Sequence, residues 1–407
     1  MIKPMGWGFL VLVILIRILF PLSVKGEQEY KIEPGVTITK ENYKNYLSDL
    51  EELLFPAAFT IYTRGLEMGW ITMPIKEKMD YSPPKGYGEA TAKYTGQCRT
   101  GPRNTLIGWV AGVPFPDPKT ALELAWNVYR RTMHPDDYHM PAYLHLIDQK
   151  GNIERSLKWS HYKKWWMGRV DKTPLGEMPG NNGVLNSKES LVMTGPFDIK
   201  GFALAKIRYE DIDTEDDNYS YIPAIRRIRR LTGADVTDPL LGSDAIPDDF
   251  ETWRQKINPK MTFKILGQKD FLVPCVFEYG KRPPYESIRG GNCFNVEWEI
   301  KPIWILEIMP NDSEYVYSKR IVYVDKEDGC GTLWGGDGYD QKGRLLRSVP
   351  MIMMIYNYNN MLKSSAGYSY YNHLSGHATL FDIQSDLSDI DVPVNKFTIK
   401  YLLREAR

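Results

Sequence analysis

Hydrophobic residues along this chain recur with a period of two over most of its length, and with a helical period only in short stretches. From Trp298 to Ile308 one face collects Trp298, Ile300, Pro302, Trp304, Leu306 and Ile308. The other collects Glu297, Glu299, Lys301 and Glu307, with Ile303 and Ile305 making its middle apolar. Pro302 places that strand at a sheet edge or on a bulge. Tyr317, Ile321 and Tyr323 share a face of the next strand, and Asp340-Gln-Lys-Gly343 supplies a hairpin turn with glycine where a positive φ is needed. Strands are also expected at Ala90–Tyr94, Ile153–Val170, Ser190–Met193, Gly201–Tyr209, Met261–Leu266, Phe271–Tyr279 and Phe397–Leu403. Another, Thr105–Val113, is apolar on both faces and so reads as central.

Helical spacing appears in three places. Thr39 caps a helix running to Leu54 with Tyr43, Tyr46, Leu47, Leu50 and Leu54 on one stripe, stopped by Pro56. Lys119–Arg131 aligns Leu122, Ala125, Trp126 and Tyr129. Asp248-x-x-Glu251 resembles a capping box for a short helix with Phe250, Trp253 and Ile257. There is no internal repeat and no low-complexity linker. The pattern implies a mainly β (α+β) chain whose large antiparallel sheet curls around a helix. An apolar concave face of that kind is a natural container for a greasy ligand.

Composition narrows the function. The 407 residues carry 51 Lys plus Arg and 51 Asp plus Glu, so the basic excess of a nucleic-acid binder is missing. Aromatics make up 13% of the chain, which favours strands. Lys3 followed by apolar runs either side of Arg17 reads as a secretory signal peptide over residues 1–26, leaving 27–407 as one β domain with N-terminal helical elaborations. The rival reading is a single membrane span, which Arg17 and the short length oppose. No cysteine stands at the cleavage site for lipid attachment. Cys98, Cys275, Cys293 and Cys330 remain; Cys275 and Cys293 either face each other across a hairpin or stay as buried thiols.

Candidate chemistry is sparse. Arg226, Arg227, Arg229 and Arg230 either hold an anionic head group or are neutralised by Asp235, Asp238, Asp244, Asp248 and Asp249 downstream. On a strand, Arg226 and Arg230 split from Arg227 and Arg229. His134 and His139 are spaced i,i+5 with an intervening proline, and His373 and His377 have no carboxylate motif beside them, so no metal site is expected. No G-x-S-x-G or phosphate-loop spacing occurs, and no cofactor is implied.

Several segments together resemble a known family. They are WVAGVPFPDP (109–118) with AWNVYRR (125–131), YIPAIRRIRRLTGADVTDPLLGSDAIPDDF (221–250), FKILGQKDFLVP (263–274), and WEIKPIWILEIMPNDSEYVYSKRIVYVDKEDG with GYDQKGRLLR (298–347). They resemble the bacterial envelope family called domain of unknown function 1329, related in fold to outer-membrane lipoprotein-sorting proteins of the LolA/LolB type. The resemblance implies an incomplete β-barrel wrapped over helices and enclosing an apolar cavity. It also implies a periplasmic setting and a partner such as a resistance-nodulation-division type inner-membrane transporter or an outer-membrane protein. It supplies no catalytic residues.

The expected function is a non-enzymatic periplasmic carrier of a lipid or other hydrophobic molecule. Trp109, Phe202, Trp304 and Met353 are the candidate wall residues, with Arg226 or Arg230 at the mouth. The rivals are a structural subunit of an envelope complex, whose cavity is a filled core, and an envelope hydrolase.

Overall fold

The computed structural model describes residues 30–131, 135–231, 238–249, 255–278, 295–357, 361–383 and 388–405. The expected signal peptide, Cys293 and Phe250–Trp253 lie outside them. Every element of the fold belongs to the unit Ile32–Arg407.

Thirteen strands lie side by side in one sheet: β1 (Asp137–Ile147), β2 (Ile153–Trp165), β3 (Leu185–Gly195), β4 (Ala203–Tyr209), β5 (Asp217–Ile222), β6 (Arg227–Leu231), β7 (Thr262–Pro274), β8 (Trp298–Met309), β9 (Lys319–Asp325), β10 (Leu333–Tyr339), β11 (Leu345–Val349), β12 (Met361–Asn372) and β13 (Ala378–Ile383). Three short strands branch from this path. Across the sheet the order descends from β6 to β1 and then from β13 to β7, every neighbour antiparallel. The first strand therefore pairs with the last at the middle of the sheet. Strands β6 and β7, consecutive along the chain, form opposite edges.

An odd number of alternating strands leaves those two edges pointing the same way. A hairpin cannot join them, and parallel neighbours need a long crossover. The chain makes that return through residues 232–261, whose described parts run across the concave face. Among the described residues no strand bridges β6 to β7, and the sheet stays an unclosed barrel.

Among the described residues five α-helices flank the sheet: α1 (Leu47–Leu53), α2 (Pro56–Glu67), α3 (Lys85–Tyr94), α4 (Ala121–Arg130) and α5 (Ile399–Glu405). Helix α4 starts with a complete capping box between Thr120 and Glu123, buries Leu124 to Arg130, and packs on β7 and β8. On the opposite, convex face Phe55, at the head of α2, stacks on Tyr323 with ring centroids 3.9 Å apart and meets Phe271 edge-on at 4.8 Å. Helix α5 covers β3 and β4, with Leu402 packed among Val192, Ala203, Ala205 and Tyr221.

Several expected elements differ. Pro56 does begin a new helix, at its first position, as well as ending α1. The stretch Ala90–Tyr94 belongs to helix α3, because Gly86 is needed for packing; a Cβ there would sit 2.2 Å from the Val170 carbonyl oxygen. Thr105–Val113 shrinks to a two-residue strand, Leu106–Ile107, because Gly108 and Gly112 take φ of +81° and +77° and turn the chain away. The two strands expected either side of Leu266 are one, β7, kinked by a bulge between Ile265 and Gly267. Strand β8 is internal, not an edge: it pairs with β7 along its length and with β9 from Ile303 onward, so Pro302 sits where the β9 ladder ends. Phe397–Leu403 is a 3₁₀ turn followed by α5; Tyr401 and Leu402 are buried side by side, which no strand permits on one face. Pro247–Asp249 is a single 3₁₀ turn.

Two glycines mark close layer packing. A Cβ on Gly335 would lie 2.8 Å from the Val349 carbonyl oxygen and 3.0 Å from the Phe55 ring, and one on Gly338 would lie 2.7 Å from Tyr317. Gly335→Ala and Gly338→Ala are each expected to cost about 1–3 kcal/mol of stability, read as a lower urea midpoint with an unchanged slope.

Candidate functional site

Because side chains alternate along each strand, the register fixes which ones meet on the concave face. Leu144 lies opposite Phe381, His161 opposite Leu191, and Leu191 opposite Leu204. Tyr138, Met140, Trp159, Leu191, Leu204, Tyr368, Phe381 and Ile383 line a cavity of about 80 Å³, closed over by Pro247 and Asp248 of the crossover. Its aromatic wall is tightly arranged: Tyr368 stacks on Phe381 at 4.9 Å, and Trp159 lies 5.4 Å from Phe381.

One end of the cavity is charged. Glu189 lies 3.2 Å from Lys163 and 3.3 Å from His161. Burial alone would raise this carboxyl's pKa, but Lys163, His161 and Lys206 together hold it well below the usual range. Asp216 lies 3.0 Å from Arg208 and 3.7 Å from both Lys206 and Lys256, and these cations likewise outweigh burial and lower its pKa.

Among the described residues, polar contacts at Asp244 and Asp249 hold the stretch 238–249 of the crossover. The Asp244 backbone N–H donates to Thr379 Oγ1 at 2.8 Å, and the Thr379 hydroxyl donates to the Asp244 carboxylate at 3.0 Å. His377 joins that carboxylate at 2.6 Å and reaches Glu154 at 3.0 Å. Further along, Asp249 accepts from the Tyr317 hydroxyl at 3.0 Å and from the Ile246 N–H at 3.0 Å. Burial raises the Asp249 pKa against the pull of Arg320 and Arg347. Between these anchors Ala245 and Ile246 are fully buried. The crossover thus occupies, with its own apolar residues, the space a greasy ligand would use.

Comparison with known families turns on the whole length of this arrangement. The model for proteins of unknown function of the DUF1329 type matches residues 37–402. The chain belongs to the DUF1329 family. Its fold is similar to that of an outer-membrane lipoprotein-sorting protein domain from Vibrio parahaemolyticus, 19% identical over 70% of this chain and 98% of that one, with a TM-score of 0.51. A DUF1329 protein from Desulfovibrio piger is 18% identical over 66% and 92% of the two chains, TM-score 0.47. A LolA superfamily protein from Nitrosomonas europaea is 14% identical over 70% and 100%, TM-score 0.45. No curated protein matches the sequence.

In this DUF1329 chain the cavity is lined by residues other than the six picked from sequence. Trp109 sits in the loop before α4, its indole 3.8 Å beneath the Arg130 guanidinium and donating to the Gly112 carbonyl. Phe202 shares the parity of Leu204 but lies in the turn leading into β4, outside the lining. Trp304 is half-buried on β8 under the Lys326 amine, 5.3 Å away. Met353 lies on Ile352–Asn357, opposite Gly367, and its side chain is outside the described residues. Arg226 occupies a left-handed turn and is exposed; Arg230 is exposed and pairs with Asp217 on β5. Asp244 and Asp249 do not neutralise these arginines, because they anchor the crossover, and Asp235 is outside the described residues. Trp159, Leu191 and Leu204 were legible as strand residues, while Phe381 lies on a strand the sequence reading did not mark. Their convergence was not legible, since it depends on register between strands far apart in sequence.

Among the described residues the histidines make hydrogen bonds, ion pairs and ring contacts. His373 bonds Ser348 at 2.8 Å, and burial pushes its pKa down to about 4. His139 stacks on Tyr162 at 4.3 Å. Among the described residues no cluster of His, Cys, Asp and Glu is placed to hold a metal, and Cys98, Cys275 and Cys330 are free thiols. No helix of the described residues is long and apolar enough to cross a membrane.

His377 gives the crossover a pH dependence. Burial would lower its pKa, but the bonds to Asp244 and Glu154 raise it above 6.5. A raised histidine contributes stability that is complete below its unfolded pKa and lost as pH climbs through the folded value. Amide exchange of residues 238–249 is therefore expected to quicken as pH rises above about 6.5, beyond the intrinsic pH effect, and His377→Gln should remove that excess.

Proposed function

We propose that this DUF1329 protein is an exported, non-enzymatic carrier that holds the apolar part of a hydrophobic ligand against the concave face and passes it to a membrane partner. The observation that carries the reading is the aromatic-lined cavity beneath a crossover that the strand order forces into the interior. Each CH₂ removed from water contributes about 0.8 kcal/mol, so a long tail binds well once room exists. A space of about 80 Å³ is roughly half of the ~150 Å³ cavity that takes up benzene. Loading therefore requires the crossover, with Ala245 and Ile246, to yield its place to the tail. The periplasm is the compartment, and a resistance-nodulation-division type transporter or an outer-membrane protein is the partner class. Direction then comes from the partner's preference for one state of the crossover.

A second reading is favoured by the same small volume: a structural envelope subunit whose interior the crossover simply fills. Native mass spectrometry on protein purified from the periplasm without detergent, followed by lipid extraction, separates the two. The carrier shows a hydrophobic adduct near one per chain. An apo mass unchanged after incubation with envelope lipids supports the structural subunit. In the carrier, Leu204→Trp should fill the cavity and abolish the adduct while the melting temperature stays within a few degrees.

A further inference from the structure

We infer that the end of the sheet carrying the turns β12–β13, β1–β2, β3–β4 and β5–β6 docks on an anionic lipid bilayer, with Phe197 as its main apolar anchor. These turns lie outside the cavity lining and would dock whether or not the cavity is loaded.

The strand order sets the four turns side by side at one end of the sheet, and each exposes a large apolar residue at or beside its tip. They are Leu374 in 373–377, Ile153 beside 148–152, Phe197 in 196–202 and Ile225 in 223–226, exposed by 57%, 46%, 94% and 53%. Neighbouring turns are tied together. Gln149 donates to the Ser375 carbonyl at 2.6 Å, His377 meets Glu154 at 3.0 Å, and Arg155 pairs with Asp198. Ala203 and Tyr221, at the inner ends of the last two turns, are register partners. Phe197 is held out by its own bonded turn: the Lys200 N–H donates to the Pro196 carbonyl at 3.0 Å, and the Phe202 N–H to that of Ile199 at 3.0 Å. One exposed apolar residue on a surface is ordinary; one on each of four successive turns marks a contact surface.

Charge selects the occupant. Residues 148–158, 196–202 and 223–227 hold Lys150, Arg155, Lys158, Lys200, Arg226 and Arg227 against Asp148, Glu154 and Asp198. Those three carboxylates are engaged locally. Asp148 accepts from the Lys150 and Asn152 N–H groups at 2.8 Å, Glu154 meets His377, and Asp198 meets Arg155. Lys150, Lys200, Arg226 and Arg227 are exposed and make no ion pair with a described residue. The far end of the sheet also exposes apolar residues, Leu175 and Val184, but its turn 210–216 has five carboxylates and no lysine or arginine. An anionic surface therefore attracts one end and repels the other. Successive turns are two strands, about 10 Å, apart, so the tips meet a surface singly. A folded partner would need a matched pocket for each tip. A fluid bilayer needs none, and it leaves the long lysine and arginine side chains among its head groups.

The test is amide exchange of the full chain with vesicles of phosphatidylcholine alone or of an equimolar mixture with phosphatidylglycerol. Exchange is read turn by turn, so contact through the apolar run Pro4–Ile16 is scored separately. On the mixed vesicles the amides of 196–202 and 223–226 are expected to slow at least about threefold while 210–216 stay unchanged. Phosphatidylcholine alone should give little of this slowing. Phe197→Ser with Ile225→Ser should abolish it, and Lys200→Glu with Arg227→Glu should remove the difference between the two lipids. All four positions are exposed, so both variants should melt within about two degrees of the parent. If the turns exchange alike with and without mixed vesicles, the inference is overturned and a protein surface becomes their occupant. Equal slowing on both lipids, or slowing that survives Phe197→Ser with Ile225→Ser, overturns it as well.

Discussion

Thirteen antiparallel strands cannot close on themselves with antiparallel pairing alone, and most of this molecule follows from that parity. The two edges run in the same direction while being joined by consecutive chain, so the connection must travel the length of the sheet. It does so on the concave face, where Asp244 is tied to Thr379 and His377, and Asp249 to Tyr317. The interior of the half-barrel is consequently filled by a segment fastened at discrete polar points.

The concave face combines two environments that call for different compensation. Around Trp159, Leu191, Tyr368 and Phe381 the wall is apolar and aromatic, and burial is favourable without further conditions. Around Lys163, Lys206, Arg208, Glu189 and Asp216 the charges are held out of water, where each must be balanced by neighbours. The two meet along β3 and β4. On the convex face Phe55 and Leu402 bring α2 and α5 onto the sheet through close packing, and Lys301 and Asp325 are buried there 3.7 Å apart.

How much of this could be read from the chain depended on how local the cause was. The alternation at Trp298–Ile308 and the Asp340–Gly343 turn are local, and both appear as read, with Gly343 at φ +75°. The capping box of α4 is local too. Strand parity, by contrast, gave only which residues share a face and not which face looks inward. Glu299 and Lys301, on the polar side of β8, are buried with Glu299 accepting from the Met79 N–H, and burial lifts the Glu299 pKa to about 7. Lys85–Tyr94 and Ile399–Glu405 are short, and their helical state comes from what they pack against: Tyr87 donates to the Arg130 carbonyl, and Leu402 sits on β4.

The sequence by itself determined the β-rich character of the chain, strands such as β2, β4 and β8, the Asp340–Gly343 turn and the family to which it belongs, because these follow from periodicity, turn chemistry and the order of motifs. Tertiary structure decided which strands meet, which face is concave and what fills it. Tyr138 and Phe381 are more than two hundred residues apart, and only the pairing of β1 with β13 brings their strands together. A one-residue change of register there would turn every one of those side chains to the other face. The cavity is therefore a property of the pairing, and no single segment carries its signature.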